Sequence, residues 1–219
     1  MSEGAVRSQR ETWSQREACE VLGARCGMDR ETARRVLRAG LAGAGVRLRG
    51  TVLYEAAEVE ALARRPLLDL GLPRVCHRGT FVARLGARRT VPPERRLRGP
   101  DGLPQTWRGA DLAAAPAEQL RAASGPWRLS PLARVRLTSM VQRQGFVPFV
   151  ATTGGFVLLG GDLVAARAAE PGRSSSATML ALADPGDWFD AWRRGRLLTG
   201  PGGPWQMWPA GLWQLASIP

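Results

Sequence analysis

Between Ser14 and Arg65 the apolar positions follow helical spacing, then alternation, then helical spacing again. Ala18, Leu22 and Cys26 recur every fourth residue, with Val21 beside Leu22, which predicts a helix with a narrow apolar face. Its start is marked by Ser14, three residues before Glu17. In such a capping box the serine hydroxyl accepts from the Glu17 amide and the Glu17 carboxylate reaches back to the Ser14 amide. Gly27 is placed to end the helix, since glycine takes positive φ without steric cost. A second helix is expected from the N-cap Asp29, whose carboxylate suits the helix dipole, to Gly40. Ala33, Val36 and Leu37 fall at i, i+3 and i+4 and form its buried stripe. Arg30, Arg34, Arg35 and Arg38 lie elsewhere around the same cylinder. From Gly45 to Tyr54 apolar and polar residues alternate, with Arg49-Gly50 at the turn, which predicts a hairpin. Ala56, Val59, Leu62 and Ala63 then predict a third helix over 55–65, stopped by Pro66.

Further along, the pattern is more varied. Leu67 to Pro73 reads as a linker or short connection. Strand character appears around Val75 and again from Phe81 to Leu85. Residues 86–109 are rich in Arg, Pro and Gly, which predicts a loop or hairpin tip rather than a packed element. Helices are expected over Asp111–Ala123 and over Pro131–Gln144. The latter has Ser130 as cap, Pro131 in the first turn, and Leu132, Val135, Leu137, Met140 and Val141 as apolar positions. Two apolar runs from Phe146 to Gly160 flank Thr153-Gly154-Gly155 and predict a second hairpin, broken by Gly160-Gly161. A short helix over 162–169, a loop over 171–176, a strand over 177–183 and a short helix from an Asp187 cap to Arg194 complete the chain before a Trp-rich tail, 195–219. The fold class is α+β: a flexible arm (1–12), a helical unit with a hairpin (13–66) and a mixed α+β domain (74–219).

The chain has 219 residues, 44% of them hydrophobic, enough for one or two domains with cores. No apolar run approaches the roughly 20 residues of a membrane span. Residues 1–10 lack the apolar core of a secretory signal, so no membrane and a cytoplasmic location are expected. All 31 basic residues are arginine, and with 26 Gly and 16 Pro this points to a gene of high G+C content, as in many bacteria. The formal net charge is +12, and residues 71–136 carry most of it, with 13 Arg against 4 acids. That balance favours an acidic polymer as partner, with binding that weakens steeply in salt. Cys19, Cys26 and Cys76 make an odd count, so disulfides are not expected, and with the single His77 they match no zinc spacing. Neither a metal nor a cofactor is expected.

The spacing around the first two helices narrows the function. Gly23 sits four residues before the turn glycine, Gly27, and small contact positions let two short helices cross steeply. This arrangement resembles the helix-turn-helix family. With the hairpin and third helix added, the segment resembles the winged MerR-like and excisionase-like DNA-binding domains. Leu53-Tyr54-Glu55-Ala56-Ala57-Glu58-Val59 is similar to the wing-to-helix junction of that group. The resemblance implies that Arg30, Thr32, Arg34 and Arg35 face the major groove and that Arg38 touches phosphate. It places Arg47 and Arg49, on the wing, at the backbone or minor groove. Double-stranded DNA is then the partner and a homodimer on a two-half site is expected. The function the resemblance implies is a sequence-specific DNA-binding protein, a bacterial transcriptional regulator, with a dimerisation, effector-binding or partner-binding role for the C-terminal domain. An excisionase-like architectural factor and a nucleic-acid-targeted enzyme subunit are the alternatives. The bland reading of the arginines is a solvated helix face. The arginines of 86–109 read either as a second phosphate patch or as a solvated loop. Five of the eight tryptophans lie at or after Trp188, which favours core packing or self-association over base stacking. No catalytic constellation stands out, and no Lys exists to complete a phosphate-binding P-loop.

Overall fold

The computed structural model describes residues 11–68, 72–99, 101–169, 177–198 and 203–209. The chain divides into two compact units, residues 1–65 and 66–219, and its class is mixed α+β.

In the first unit, strand β1 (Thr12–Ser14) leads into α1 (Gln15–Cys26), followed by α2 (Arg30–Arg38), a hairpin of β2 (Val46–Leu48) and β3 (Thr51–Glu55), and α3 (Ala56–Ala63). Ser14 and Glu17 form the full capping box, so the start of α1 is fixed locally. Gly27 ends it in the left-handed region at φ 65°. The hairpin turns at Arg49 and Gly50, both at positive φ, as a tight two-residue connection between twisted strands requires. Ala18, Cys19 and Leu22 of α1 are buried with Ala33, Val36 and Leu37 of α2, Tyr54 of β3, and Val59, Leu62 and Ala63 of α3. Cys26 and Val21, expected on the apolar face of α1, are only half-buried, and Cys19 takes that place. β1 has no counterpart in the sequence pattern. It pairs antiparallel with β3, Trp13 opposite Tyr54, to give a sheet of order β1-β3-β2. The arm expected over 1–12 therefore ends in a strand at Thr12, and its first ten residues lie outside the described ones.

The second unit is built on a curled six-stranded sheet, formed by β4 (Thr80–Arg84), β7 (Trp127–Arg128), β8 (Val147–Thr153), β9 (Phe156–Ala168), β10 (Ala177–Ala183) and β11 (Trp205–Trp208). Their order is β11-β4-β8-β9-β10-β7. β4 and β8 run parallel and the other pairs antiparallel. A small hairpin, β5 (Arg89–Thr90) and β6 (Trp107–Arg108), and three helices, α4 (Arg74–His77), α5 (Pro116–Ala123) and α6 (Pro131–Gln144), complete it. The sheet curls until its edges approach: the Trp205 indole on β11 donates to the Arg128 carbonyl on β7, 3.0 Å away. Phe81, Phe149, Trp127 and Trp205 pack together, and a second cluster gathers Cys76, Val82, Val150, Val157, Trp188, Phe189 and Trp192.

The structure departs from the sequence pattern in several places. Residues around Val75 form the short helix α4, where Thr80 donates its hydroxyl to the Cys76 carbonyl. The glycine pair 160–161 does not break the second hairpin, and 162–168 continues β9 as a strand. Those glycines admit neighbours: a Cβ on Gly160 would enter the Phe189 ring, and one on Gly161 would meet Leu120. The Asp187 segment is a 3₁₀ turn over Asp187–Ala191 in which Gly186 holds the cap position and no side chain caps. The helix expected from Asp111 begins at Pro116, after a turn in which Asp111 accepts from the Ala113 amide. On α6, Ser130 caps as expected, but Leu132 and Val135 are exposed. The 86–109 segment is folded: Val91, Leu97, Gln105 and Trp107 are buried in it. Within the 67–73 connection, Leu67 and Leu68 pair with Arg196 along the backbone. The 171–176 loop, most of the Trp-rich tail and Trp213 lie outside the described residues.

Candidate nucleic-acid interface

The seven candidate residues occupy two places in the first unit. Arg30, Thr32, Arg34, Arg35 and Arg38 lie on α2, and Arg47 and Arg49 lie on the β2–β3 hairpin. The break between α1 and α2 is short. The Gly27 amide donates to the Gly23 carbonyl at 2.9 Å, and the chain restarts at Asp29. A Cβ on Gly23 would sit 3.3 Å from the Met28 carbonyl oxygen, so the turn packs closely against α1 at that point.

Asp29 organises the start of α2. Its carboxylate accepts from the amides of Glu31 and Thr32, both at 2.9 Å, and from the Thr32 hydroxyl at 2.7 Å. The hydrogen bond from the Thr32 hydroxyl, then that from its amide, hold the Asp29 carboxyl below the usual carboxylate range. Thr32 thereby takes part in the cap through both its amide and its hydroxyl, at the exposed start of the helix.

The buried stripe of α2 fixes which arginines face away. Ala33, Val36 and Leu37 are 0%, 0% and 2% exposed. At 100° per residue the opposite side of the cylinder carries Glu31, Arg35 and Arg38, with Arg30 and Arg34 on one flank. Arg34 is half-buried and pairs with Glu31 at 3.2 Å. Burial raises the Cys19 thiol pKa, and the charges of Arg34, Arg30 and Arg38 act against the rise. Tyr54 is likewise pushed up by burial. Nine arginines between Arg16 and Arg64 fall into two classes. Arg16, Arg25, Arg34 and Arg64 pair with Glu20, Glu60, Glu31 and Glu60. Arg30, Arg35, Arg38, Arg47 and Arg49 are exposed and carry no ion pair among the described residues. The unit's net charge is small, yet these five unpaired arginines are gathered on one helix and one hairpin.

The arginines of 86–109 behave differently. Arg88 pairs with Asp111 and lies over the Trp107 ring, 4.9 Å from its centre. Arg96 and Arg98 donate to the carbonyls of Val91 and Gly102. Arg108 donates to the Gln105 side chain, whose amide in turn donates to the Arg121 and Ala122 carbonyls. Much of this segment's positive charge is spent on holding the loop together, and Arg89 and Arg95 remain exposed.

Elsewhere in the second unit, His77 Nε2 lies 3.1 Å from the Leu72 carbonyl oxygen and its ring leans on Trp208. Burial pushes the Cys76 thiol pKa up, against a hydrogen bond from the Trp192 indole. Among the described residues no three His, Cys, Asp or Glu side chains come together to hold a metal. Asp162 accepts from the Trp188 indole at 2.7 Å, and Asp184 lines an open cleft of about 350 Å³ with Asp101 and Arg121. No helix among the described residues is long and apolar enough to cross a membrane. Trp107, Trp127, Trp188 and Trp192 are all buried. The outward apolar residues of β2, Val46 and Leu48, were not singled out by the sequence, where alternation marks a strand without saying which face is covered. Comparison with known proteins returns no match: no family model fits the chain, and neither a curated protein nor a solved structure is significantly similar to it.

Proposed function

We propose that the chain is a sequence-specific double-stranded DNA-binding protein, most simply a bacterial transcriptional regulator, with residues 13–66 acting as a winged helix-turn-helix of the MerR-like and excisionase-like kind. One observation carries this reading. α2 is a separate, capped helix whose outward side presents Arg35 and Arg38, with Arg30 at its start, and none of the three is neutralised by an ion pair among the described residues. Guanidinium groups on a short exposed helix suit guanine edges and phosphates, because the planar fork binds both in two places at once. In this reading Arg35 reads a base edge, Arg30 and Arg38 flank it, and Arg34 joins when the duplex draws it from Glu31. Thr32 acts through the cap. Arg47 and Arg49 hold the phosphates beside the hairpin. One such module contacts too little DNA to be selective alone, so a homodimer on paired half-sites is part of the proposal. The second unit would then supply dimerisation, or effector or partner binding, and the cleft between Asp101 and Asp184 has the volume of a small-ligand site.

The test is competition binding by the full chain on duplex DNA. Arg34→Ala combined with Arg35→Ala should abolish discrimination between a selected site and random duplex while leaving weak, salt-sensitive binding. Undiminished selectivity in that variant would remove α2 from the account. An excisionase-like architectural role is the second reading, favoured by the exposed apolar side chains of the hairpin.

A further inference from the structure

The arginines leave one feature of the hairpin unused. β2 is an edge strand, and Val46 and Leu48 on it are 67% and 57% exposed. The register sets Val46 opposite Leu53 and Leu48 opposite Thr51. Residues two apart in a strand share a face, so these four form one side of the hairpin. Val52 and Tyr54 point to the other side. There Tyr54 is buried, and a Cβ on Gly45 would lie 2.5 Å from Val52 Cγ1 and 2.9 Å from the Tyr54 ring. The Val46–Leu48 side is therefore the outward one, and it ends in Leu48, one residue before the tight turn at Arg49-Gly50.

Charge decides what covers it. From Gly45 to Val52 the hairpin holds Arg47 and Arg49 and no carboxylate. A second copy pairing antiparallel along the β2 edge would bring arginines face to face, whether the pairing is centred on Arg47 or on Leu48. Like charges directly opposite one another destabilise a strand pair. A polyanion has the reverse effect, and DNA offers both phosphates for the flanking guanidiniums and stacked bases for the apolar tip.

We propose that Leu48, backed by Val46, is a wedge that enters the minor groove and unstacks a base step of the DNA held by α2, an inference that rests on the DNA-binding reading above. Apolar side chains inserted between base steps kink the duplex towards the major groove, and pyrimidine–purine steps such as TA yield most easily. The wedge places a bend beside the site that α2 reads, so recognition would depend on how easily the flanking step deforms.

The experiment uses the full chain and duplexes carrying 2-aminopurine at successive positions around TA and CA steps, because this base brightens when unstacked. Binding is followed in parallel by anisotropy. The wild-type chain should brighten the probe at a confined position. Leu48→Ala should still bind, roughly tenfold more weakly, without brightening it. Leu48→Met should restore the signal. Leu48 is exposed, so both variants are expected to keep the wild-type circular dichroism. Saturated binding with no brightening at any position, or equal brightening by Leu48→Ala, overturns the wedge and leaves the DNA reading standing. A wild-type dimer that dissociates on Leu48→Ala assigns this face to a second copy and overturns the wedge as well. Absence of any duplex binding by the wild-type chain overturns the DNA reading and the wedge together.

Discussion

Replacing Gly160 with alanine puts a methyl group into the ring of Phe189. The added Cβ would lie 2.6 Å from two of the ring carbons, and Phe189 is 5% exposed, so the ring has little room to retreat. Gly160 sits inside β9, opposite Val150 of β8. In open space a strand alanine would gain about 0.5–1 kcal/mol over glycine through the unfolded chain. Overpacking a filled core costs about 1–3 kcal/mol. The second effect wins, and Gly160→Ala should destabilise the second unit by about 1–2 kcal/mol. Phe189→Leu alone should cost a similar amount, about 1–2 kcal/mol. In the double variant the methyl group has room, so the costs should not add, and a coupling of about 1 kcal/mol or more is expected. Urea unfolding followed by tryptophan fluorescence is the assay. Trp13 is the sole tryptophan before residue 66, so the signal comes almost entirely from the second unit. Additivity within about 0.5 kcal/mol would mean that the ring and the glycine do not share that space, and the packing argument for β9 would fail.

Three further outcomes follow from the first unit and the thiols. Glu31→Gln removes the one carboxylate on the outward side of α2 and frees Arg34. It should tighten duplex binding about two- to fivefold at low salt, an effect that anisotropy titrations should lose at high salt. Asp29 has a depressed pKa in the fold, so it contributes stability that is present above the unfolded carboxyl value near 3.9 and lost as pH falls through the lower folded one. Asn at position 29 still caps, so Asp29→Asn should keep α2 while making acid titration of the far-ultraviolet circular dichroism shallower below about pH 4. With thiol reagents, half-buried Cys26 should react first in the native chain. Cys19 and Cys76, buried and with raised pKa values, should react only on unfolding, as stopped-flow labelling with and without urea will show.

The elements that could be read from the sequence are those whose cause is local. Ser14 with Glu17, Gly27, Asp29, Ser130 with Pro131, and the turns at Arg49-Gly50 and Gly154-Gly155 each act within a few residues, and the structure has them where the letters put them. What escaped depends on partners far along the chain. β1 is three residues long and exists because β3 lies some forty residues away to pair with it. Gly160-Gly161 reads as a break until Phe189 and Leu120 are seen to occupy the space that side chains would need. The 86–109 segment reads as an unpacked loop or hairpin tip because its organiser, Gln105, is one buried amide bonded to carbonyls of α5. At the candidate interface, helical phase separates the outward arginines from the buried stripe. The engagement of Thr32 by Asp29 and of Arg34 by Glu31 depends on side-chain rotamers that residue spacing does not fix.

The decisive experiment is selection of duplexes from a random pool by the full chain, run beside a variant with Arg30, Arg35 and Arg38 all replaced by alanine. The wild-type chain should enrich a recurrent motif arranged as two half-sites, and the variant should enrich none, its residual binding falling away with salt. A wild-type pool that stays random after repeated rounds, or the same motif recovered by the variant, would contradict it.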